Sequence, residues 1–199
     1  MTSQKEFLEK LIKALDSSKI PYMLSGSLCS SFHGQPRATN DADIVIDPTK
    51  EQLRDFVTSL GPDYYVKQEA ALESFKNNSM FNIIDIQAGW KADLIIRKKR
   101  AYSELEFSRR KEANIMGMGL YIVSAEDSIL SKLEWSKGRE SQAQFNDALG
   151  VLMVQWDNLD FGYLKKWAKK LKVEDSLEQL LGKFKKLADQ RKGSDPFKI

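Results

Sequence analysis

The chain has 199 residues, 42% hydrophobic and 30% charged, with 31 Lys and Arg against 28 Asp and Glu for a formal net charge of +3. This excludes a disordered, collagenous or coiled-coil chain, and the small net charge excludes a protein that coats nucleic acid through bulk charge. One cysteine, Cys29, and one histidine, His33, exclude an internal disulfide, a cysteine-based zinc site and a histidine-rich metal centre.

Phe7, Leu8, Leu11, Ile12 and Leu15 recur at helical spacing and predict an amphipathic helix over 4–18. A strand at 20–24 follows, then a turn at Ser25-Gly26-Ser27 and a helix that begins near Leu28. Pro36 makes 35–40 a loop, and 42–46 reads as a strand closed by Asp47-Pro48. Thr49 is positioned to cap a helix that runs to about Leu60. A weak strand at 64–66 and a short helix at 69–75 come next. Strands at 80–86 and 91–96 are joined by a turn at Ala88-Gly89, and 115–123 reads as a hairpin or a strand interrupted by glycines. Ser124 with Asp127 three residues on resembles a capping box. Helices over 125–136, 140–155, 160–171 and 174–190 complete the pattern, with 193–199 as a frayed tail and Asp147 as a polar structural partner within the helices. The fold class expected is α+β: a small mixed sheet flanked by helices over 1–123, followed by a C-terminal helical bundle over 124–199. No apolar run approaches the roughly 20 residues of a membrane span. The start, MTSQKEFLEK, is unlike a secretory signal, so a cytoplasmic protein is expected.

The charge is uneven. Residues 97–111 hold seven basic and two acidic residues, net +5, and residues 165–199 hold eleven and five, net +6, which leaves −8 on the remainder. The first basic stretch directly follows the strand at 91–96 and is expected at the rim of a catalytic face, where it can guide an RNA backbone. The C-terminal lysines read as ordinary amphipathic surface as well as they read as a binding face.

The densest chemistry lies in LSGSLCSSFHGQPRATNDADIVID, residues 24–47. A Gly26-Ser27 turn between strand and helix lets backbone amides approach a phosphate closely. Thirteen residues separate Ser27 from Asp41-Ala42-Asp43. On a strand these two carboxylates share a face, with Cα atoms roughly 6.5–7 Å apart, and a hard divalent cation relieves their repulsion. A two-metal clamp needs a third carboxylate. Asp93, in the apolar strand KADLII, is preferred over Asp85 in NIIDIQ. Turn or cap roles for Asp41 and Asp43, a core role for His33, a solvated helix position for Lys132 and core roles for Trp135, Trp156 and Trp167 are the plain readings beside these.

The string Gly26-Ser27, spacer, Asp41-x-Asp43 and later strand Asp93 resembles the polymerase-β-type nucleotidyltransferase superfamily. Arg37-Ala38-Thr39-Asn40-Asp41-Ala42-Asp43 is similar to the R-x-T-x-D-x-D form of the AbiEii-like toxin nucleotidyltransferases and related small bacterial enzymes. The resemblance continues through Lys91–Ile96, Lys132-Leu133-Glu134-Trp135 and Phe145-Asn146-Asp147-Ala148, and so covers about 20–155. Ala42 is smaller than the usual middle hydrophobe, and Ser27 replaces the commoner second glycine.

The resemblance implies a nucleotidyltransferase fold. It implies that Asp41, Asp43 and Asp93 bind two Mg²⁺ or Mn²⁺ ions, and that Asp93 helps deprotonate the attacking hydroxyl. Gly26, Ser27, Arg37, Thr39 and Lys132 would contact the nucleoside triphosphate (NTP). The expected activity is transfer of a nucleoside monophosphate to an acceptor hydroxyl. An RNA or tRNA 3′ end is the first acceptor, in a toxin that has a cognate antitoxin as partner. A protein hydroxyl, an aminoglycoside-like small molecule, or a non-catalytic nucleotide-binding module are the alternatives.

Overall fold

Burial alternates residue by residue along the central strands, and this alternation sets the architecture. Ala42, Ile44 and Ile46 are buried, whereas Asp41, Asp43 and Val45 between them are only partly covered. The same two-residue period, expected for strands with one face on a core, recurs where Phe81, Ile83 and Asp85 are buried and Asn82 is exposed. The computed structural model describes residues 2–137 and 141–193, with side chains to 190. Of the frayed tail expected at 193–199, Gly193 ends a helix, and 194–199 lie outside the described residues, as does the helix start expected at 140.

In chain order the elements are α1 (Gln4–Ser17), β1 (Tyr22–Ser25), α2 (Gly26–His33), β2 (Asp41–Ile46), α3 (Lys50–Ser59), β3 (Tyr64–Tyr65), α4 (Gln68–Asn77), β4 (Met80–Asp85), β5 (Lys91–Ile96), α5 (Ala101–Ser108), β6 (Lys111–Ile115) and β7 (Met118–Ile122). Then come α6 (Ala125–Ser136), α7 (Gln142–Gln155), a 3₁₀ turn at Trp156–Asn158, α8 (Phe161–Leu171) and α9 (Glu174–Gly193). The seven strands form one sheet in the order β3-β4-β5-β2-β1-β7-β6. β2 runs parallel to β5 and β1 parallel to β7; the other pairs are antiparallel. The mixed α+β class is as the pattern predicted. No helix of the described residues is long and apolar enough to cross a membrane.

The chain divides into two compact units. One comprises Met1–Cys29 with Arg37–Ser124, the other Ser30–Pro36 with Ala125–Ile199, so α2 begins in the first and ends in the second. In the first unit the sheet packs on α1, whose Phe7, Leu8, Leu11 and Leu15 are buried as their spacing predicts, and on α3 through Leu53 and Phe56. Ser3 caps α1 and Thr49 caps α3, each reciprocated by the side chain three residues on, Glu6 and Gln52.

Two elements depart from the sequence pattern. Helix α5 has no clean apolar stripe and lies in the charged stretch, yet Tyr102 and Phe107 bury it. The hairpin expected at 115–123 starts earlier, at Lys111, and turns through Met116 and Gly117, both with positive φ. A two-residue loop of that hand matches the twist of antiparallel strands.

In the second unit, α6 is tied to the start of α8 by Glu126, whose Oε1 accepts from the Asp160 amide at 3.2 Å, and by the fully buried Asp127, whose Oδ1 accepts from the Tyr163 hydroxyl at 2.5 Å. Gly34 lies against the backbone of α7. A Cβ there would stand 2.6 Å from Gly150 C and Val151 N, so only glycine fits. Gln155 Nε2 donates to the His33 carbonyl at 2.9 Å and holds the same segment.

Tyr22 on β1 is buried. Burial, with the Asp16 carboxylate nearby, raises its hydroxyl above the ordinary 10.0, and burial raises Tyr64 in the same direction. A raised folded-state pKa means that the folded chain keeps a proton the unfolded chain releases. Stability is therefore complete below about pH 10 and falls as pH rises beyond it. A melting series from about pH 9 to 11 is expected to show that fall, and Tyr22→Phe is expected to make it shallower; an unchanged slope would refute the assignment.

Candidate active site

The pairing of four strands lines up four polar residues in one row. Ser25 of β1 pairs with Asp43 of β2, Asp43 with Asp93 of β5, and Asp93 with Asn82 of β4. Directly paired residues project from the same face, and adjoining strands lie about 4.8 Å apart. Asp41 stands one rung away on that face, paired with Lys91. The three carboxylates singled out in the sequence are therefore brought together at the N-terminal ends of two parallel strands.

Two of the nearby side chains were not singled out beforehand. Asn82 Nδ2 donates to Asp93 Oδ1, which fixes one oxygen of that carboxylate. Lys91 Nζ lies 3.2 Å from Asp93 Oδ2 and 3.6 Å from Asp41 Oδ2. Partial burial pulls the Lys91 pKa down, but the hydrogen bond and charge of Asp93, joined by those of Asp41, outweigh it and the net direction is up. The position of Lys91, two residues before Asp93 on a strand, was the available signal; Asn82 required the strand pairing.

The glycine turn reaches the same row. Gly26 has φ +62°, and a Cβ on it would lie 1.8 Å from Asp43 Oδ2, so the Asp43 carboxylate rests where a side chain would otherwise be. Ser27 Oγ accepts from Arg37 Nη2 at 2.6 Å, which brings an exposed guanidinium to the start of α2. Thr39 is turned to its own strand: its hydroxyl lies 3.4 Å from the Asp41 amide and 3.3 Å from the Asp41 carbonyl, and its carbonyl accepts from Gln4.

Among the described residues, no three Asp, Glu, His or Cys side chains already converge on one point as ligands of an ion. The donor set nevertheless fits a hard divalent cation: carboxylate oxygens on adjoining rungs of one face, with a positive charge, the Lys91 ammonium, already held between two of them.

Other candidates lie elsewhere. Asp85 projects from the opposite, buried face of β4, where its Oδ1 accepts from the Gln87 and Ala88 amides at 2.9 and 2.8 Å and caps the turn into β5. The first part of the basic stretch, 97–100, lies past the other end of β5 from the carboxylates, contrary to expectation. Arg97 follows the far end of the strand, its amide bonded to Ile46 O, four residues and roughly 13 Å along the chain from Asp93. Its guanidinium pairs with Asp47 at 2.9 Å and Glu104 at 3.6 Å, while Arg110 lies over the rings of Phe107 and Tyr121. Arg97 thus serves the fold at the end of the sheet away from the carboxylates, and Arg110 is engaged with the two rings beside the start of β6, whose Lys111 pairs with Ile122.

In the second unit, Lys132 is 6% exposed and its Nζ lies 2.8 Å from Asp147 Oδ2. The ammonium expected at a triphosphate belongs to a buried ion pair between α6 and α7. His33 is buried beside the Phe32 ring, and Trp156 stacks on Phe184 at 3.9 Å, whereas Trp135 is exposed.

No family model matches the chain, and no curated protein matches it in sequence. Solved structures do match. An antigenic nucleotidyltransferase-like protein from Paracoccidioides brasiliensis superposes with a TM-score of 0.61 at 17% identity, over 93% of this chain and 90% of that one. The chain has a nucleotidyltransferase fold. Two further structures share this fold. The antibiotic-resistance factor ANT(2'')-Ia matches at TM-score 0.54 and 14% identity, over 96% of this chain and all of that one. The lincosamide antibiotic adenylyltransferase LnuA, lincomycin-bound, matches at 0.52 and 14% identity, over 75% of this chain and 96% of that one.

Proposed function

We propose that the protein transfers a nucleoside monophosphate from an NTP to an acceptor hydroxyl. The observation that supports this best is the polar row Ser25–Asp43–Asp93–Asn82, with Asp41 one rung away and the Gly26 backbone against Asp43. Asp41, Asp43 and Asp93 would hold divalent cations, Mg²⁺ or Mn²⁺, which supply stabilisation of the charge that develops on the triphosphate. Gly26 and Ser27, at the start of α2, place backbone amides and a hydroxyl for phosphate oxygens, and Arg37 adds a fixed positive charge at Ser27. Asp93, oriented by Asn82, accepts the proton of the attacking hydroxyl. The acceptor oxygen bonds to the α-phosphorus, the bond from that phosphorus to the bridging oxygen breaks, and pyrophosphate leaves. Positioning and electrostatics carry the rate.

The acceptor in this reading is a hydroxyl on a small molecule. Two structural relatives carry antibiotic resistance or antibiotic adenylylation in their names, and Arg97 and Arg110 of the basic stretch that favoured RNA are engaged in the fold instead. An RNA end, with the toxin role and antitoxin partner that accompany it, is the competing acceptor.

The test incubates the protein and α-labelled ATP, GTP, CTP or UTP with Mg²⁺ or Mn²⁺ and either hydroxylated antibiotics, total tRNA or cell protein. Metal-dependent label on a small molecule, lost in Asp43→Asn/Asp93→Asn, is the expected result. Label on tRNA 3′ ends transfers the acceptor to the competing reading. Undiminished labelling by the double variant would remove the site assignment.

A further inference from the structure

Two of the three carboxylates are bridged by a single ammonium. Lys91 shares a rung with Asp41 and precedes Asp93 by two residues, so its stem rises from the carboxylate face and its Nζ reaches both, 3.6 and 3.2 Å away. A divalent ion bound to those oxygens would stand within a few ångströms of that ammonium, where two positive charges repel strongly. The lysine stem is flexible and only partly buried, its side chain 32% exposed, so the ammonium can leave without unfolding the strand.

We propose that Lys91 is a displaceable internal counter-ion of the carboxylate site: it holds Asp41 and Asp93 when no metal is bound, a divalent cation expels it, and the exchange sets the affinity for that cation. This inference rests on the reading of Asp41, Asp43 and Asp93 as cation ligands. It also accounts for the lack of a ready-made metal cluster among the described residues, since Lys91 takes up the oxygens that would converge.

The consequence is opposite to that of losing an ordinary site residue: removing Lys91 tightens metal binding. The test is a Mn²⁺ titration of the full chain without nucleotide, read by the electron paramagnetic resonance signal of free Mn²⁺, with melting temperatures taken in parallel. Lys91→Met is expected to bind Mn²⁺ about tenfold tighter than the wild type and to melt lower without metal. Lys91→Gln, a second neutral variant, is expected to do the same. Lys91→Arg, which keeps the charge, is expected to stay within about threefold of wild type. Asp41→Asn/Asp93→Asn is expected to lose binding. If the neutral variants bind Mn²⁺ no tighter while the double Asp variant loses it, the counter-ion inference fails and the carboxylate reading stands. If the double Asp variant binds as the wild type does, or no variant binds at all, both fail.

Discussion

Lys132→Met is expected to lower the free energy of unfolding by about 3–5 kcal/mol, the usual effect of removing one partner from a buried ion pair. The side chains of Lys132 and Asp147 are 7% and 8% exposed, and their charges meet at 2.8 Å. Without the ammonium, the Asp147 carboxylate, only 8% exposed, loses the cation that meets it at 2.8 Å. Asp147→Asn strands the ammonium in the same way and is expected to cost a similar amount. Replacing both residues, as Lys132→Met/Asp147→Leu, removes the uncompensated charge and is expected to recover most of the loss, because apolar pairs of similar volume commonly equal a buried ion pair in stability. Urea unfolding of the four proteins makes the comparison. A single variant that costs under about 1 kcal/mol would show that the pair is solvated and that the lysine is free for other work.

Gly26→Ala is expected to abolish most nucleotidyl transfer, by about a hundredfold, while leaving the protein folded. The added methyl would overlap the Asp43 carboxylate, 1.8 Å from Oδ2 and 2.5 Å from Cγ. The carboxylate or the turn has to shift by more than an ångström to clear it. Displacements of that size in a catalytic constellation cost roughly a hundredfold in rate. The φ of +62° adds a conformational cost, about 1 kcal/mol for a residue with a Cβ, and the overlap adds about 1–3 kcal/mol. Gly61→Ala is the matched control. Its φ is +72° and nothing lies within 4 Å of a Cβ there, so it carries the conformational cost without the collision. Transfer by Gly61→Ala is expected to remain at wild-type level. If Gly26→Ala is as active as Gly61→Ala, Asp43 does not act from the position described.

The carboxylate pair on β2 was legible because a strand's two-residue period puts Asp41 and Asp43 on one face whatever surrounds them. Asp93 was legible as a charge in an otherwise apolar strand. Choosing it over Asp85 needed more than pattern: the two residues project from opposite faces of the sheet, and only the pairing of Asn82 with Asp93 reveals which face each β4 residue takes. Ser25 and Asn82 stayed hidden for the same reason, since each gains its role from a neighbour on another strand, and Lys91 gains half of its role so, from Asp41. Helix α5 escaped because its buried residues, Tyr102, Ser103, Glu106 and Phe107, include two polar ones, so hydropathy showed no stripe. Residues 97–100 are near Asp93 in sequence but not in space, because the strand carries the chain away from the site. Lys132 read as a helix lysine with two uses, and its partner, Asp147, lies on the next helix.

β1 and β2 are neighbours in the sheet although residues 26–40 come between them. Their alignment depends on the ladder and on a few anchors, Gly26 at one end and Thr39, held by Gln4, at the other. The exposed stretch from Gln35 to Ala38 carries none of the rungs. An insertion there lengthens a surface connection and leaves the carboxylates where they are. Removing one residue between Asp41 and Asp43 instead would send one of the two carboxylates to the apolar side of the sheet. Length variation among descendants of this chain is therefore tolerated in the spacer between glycine turn and acidic pair, and forbidden within the pair itself.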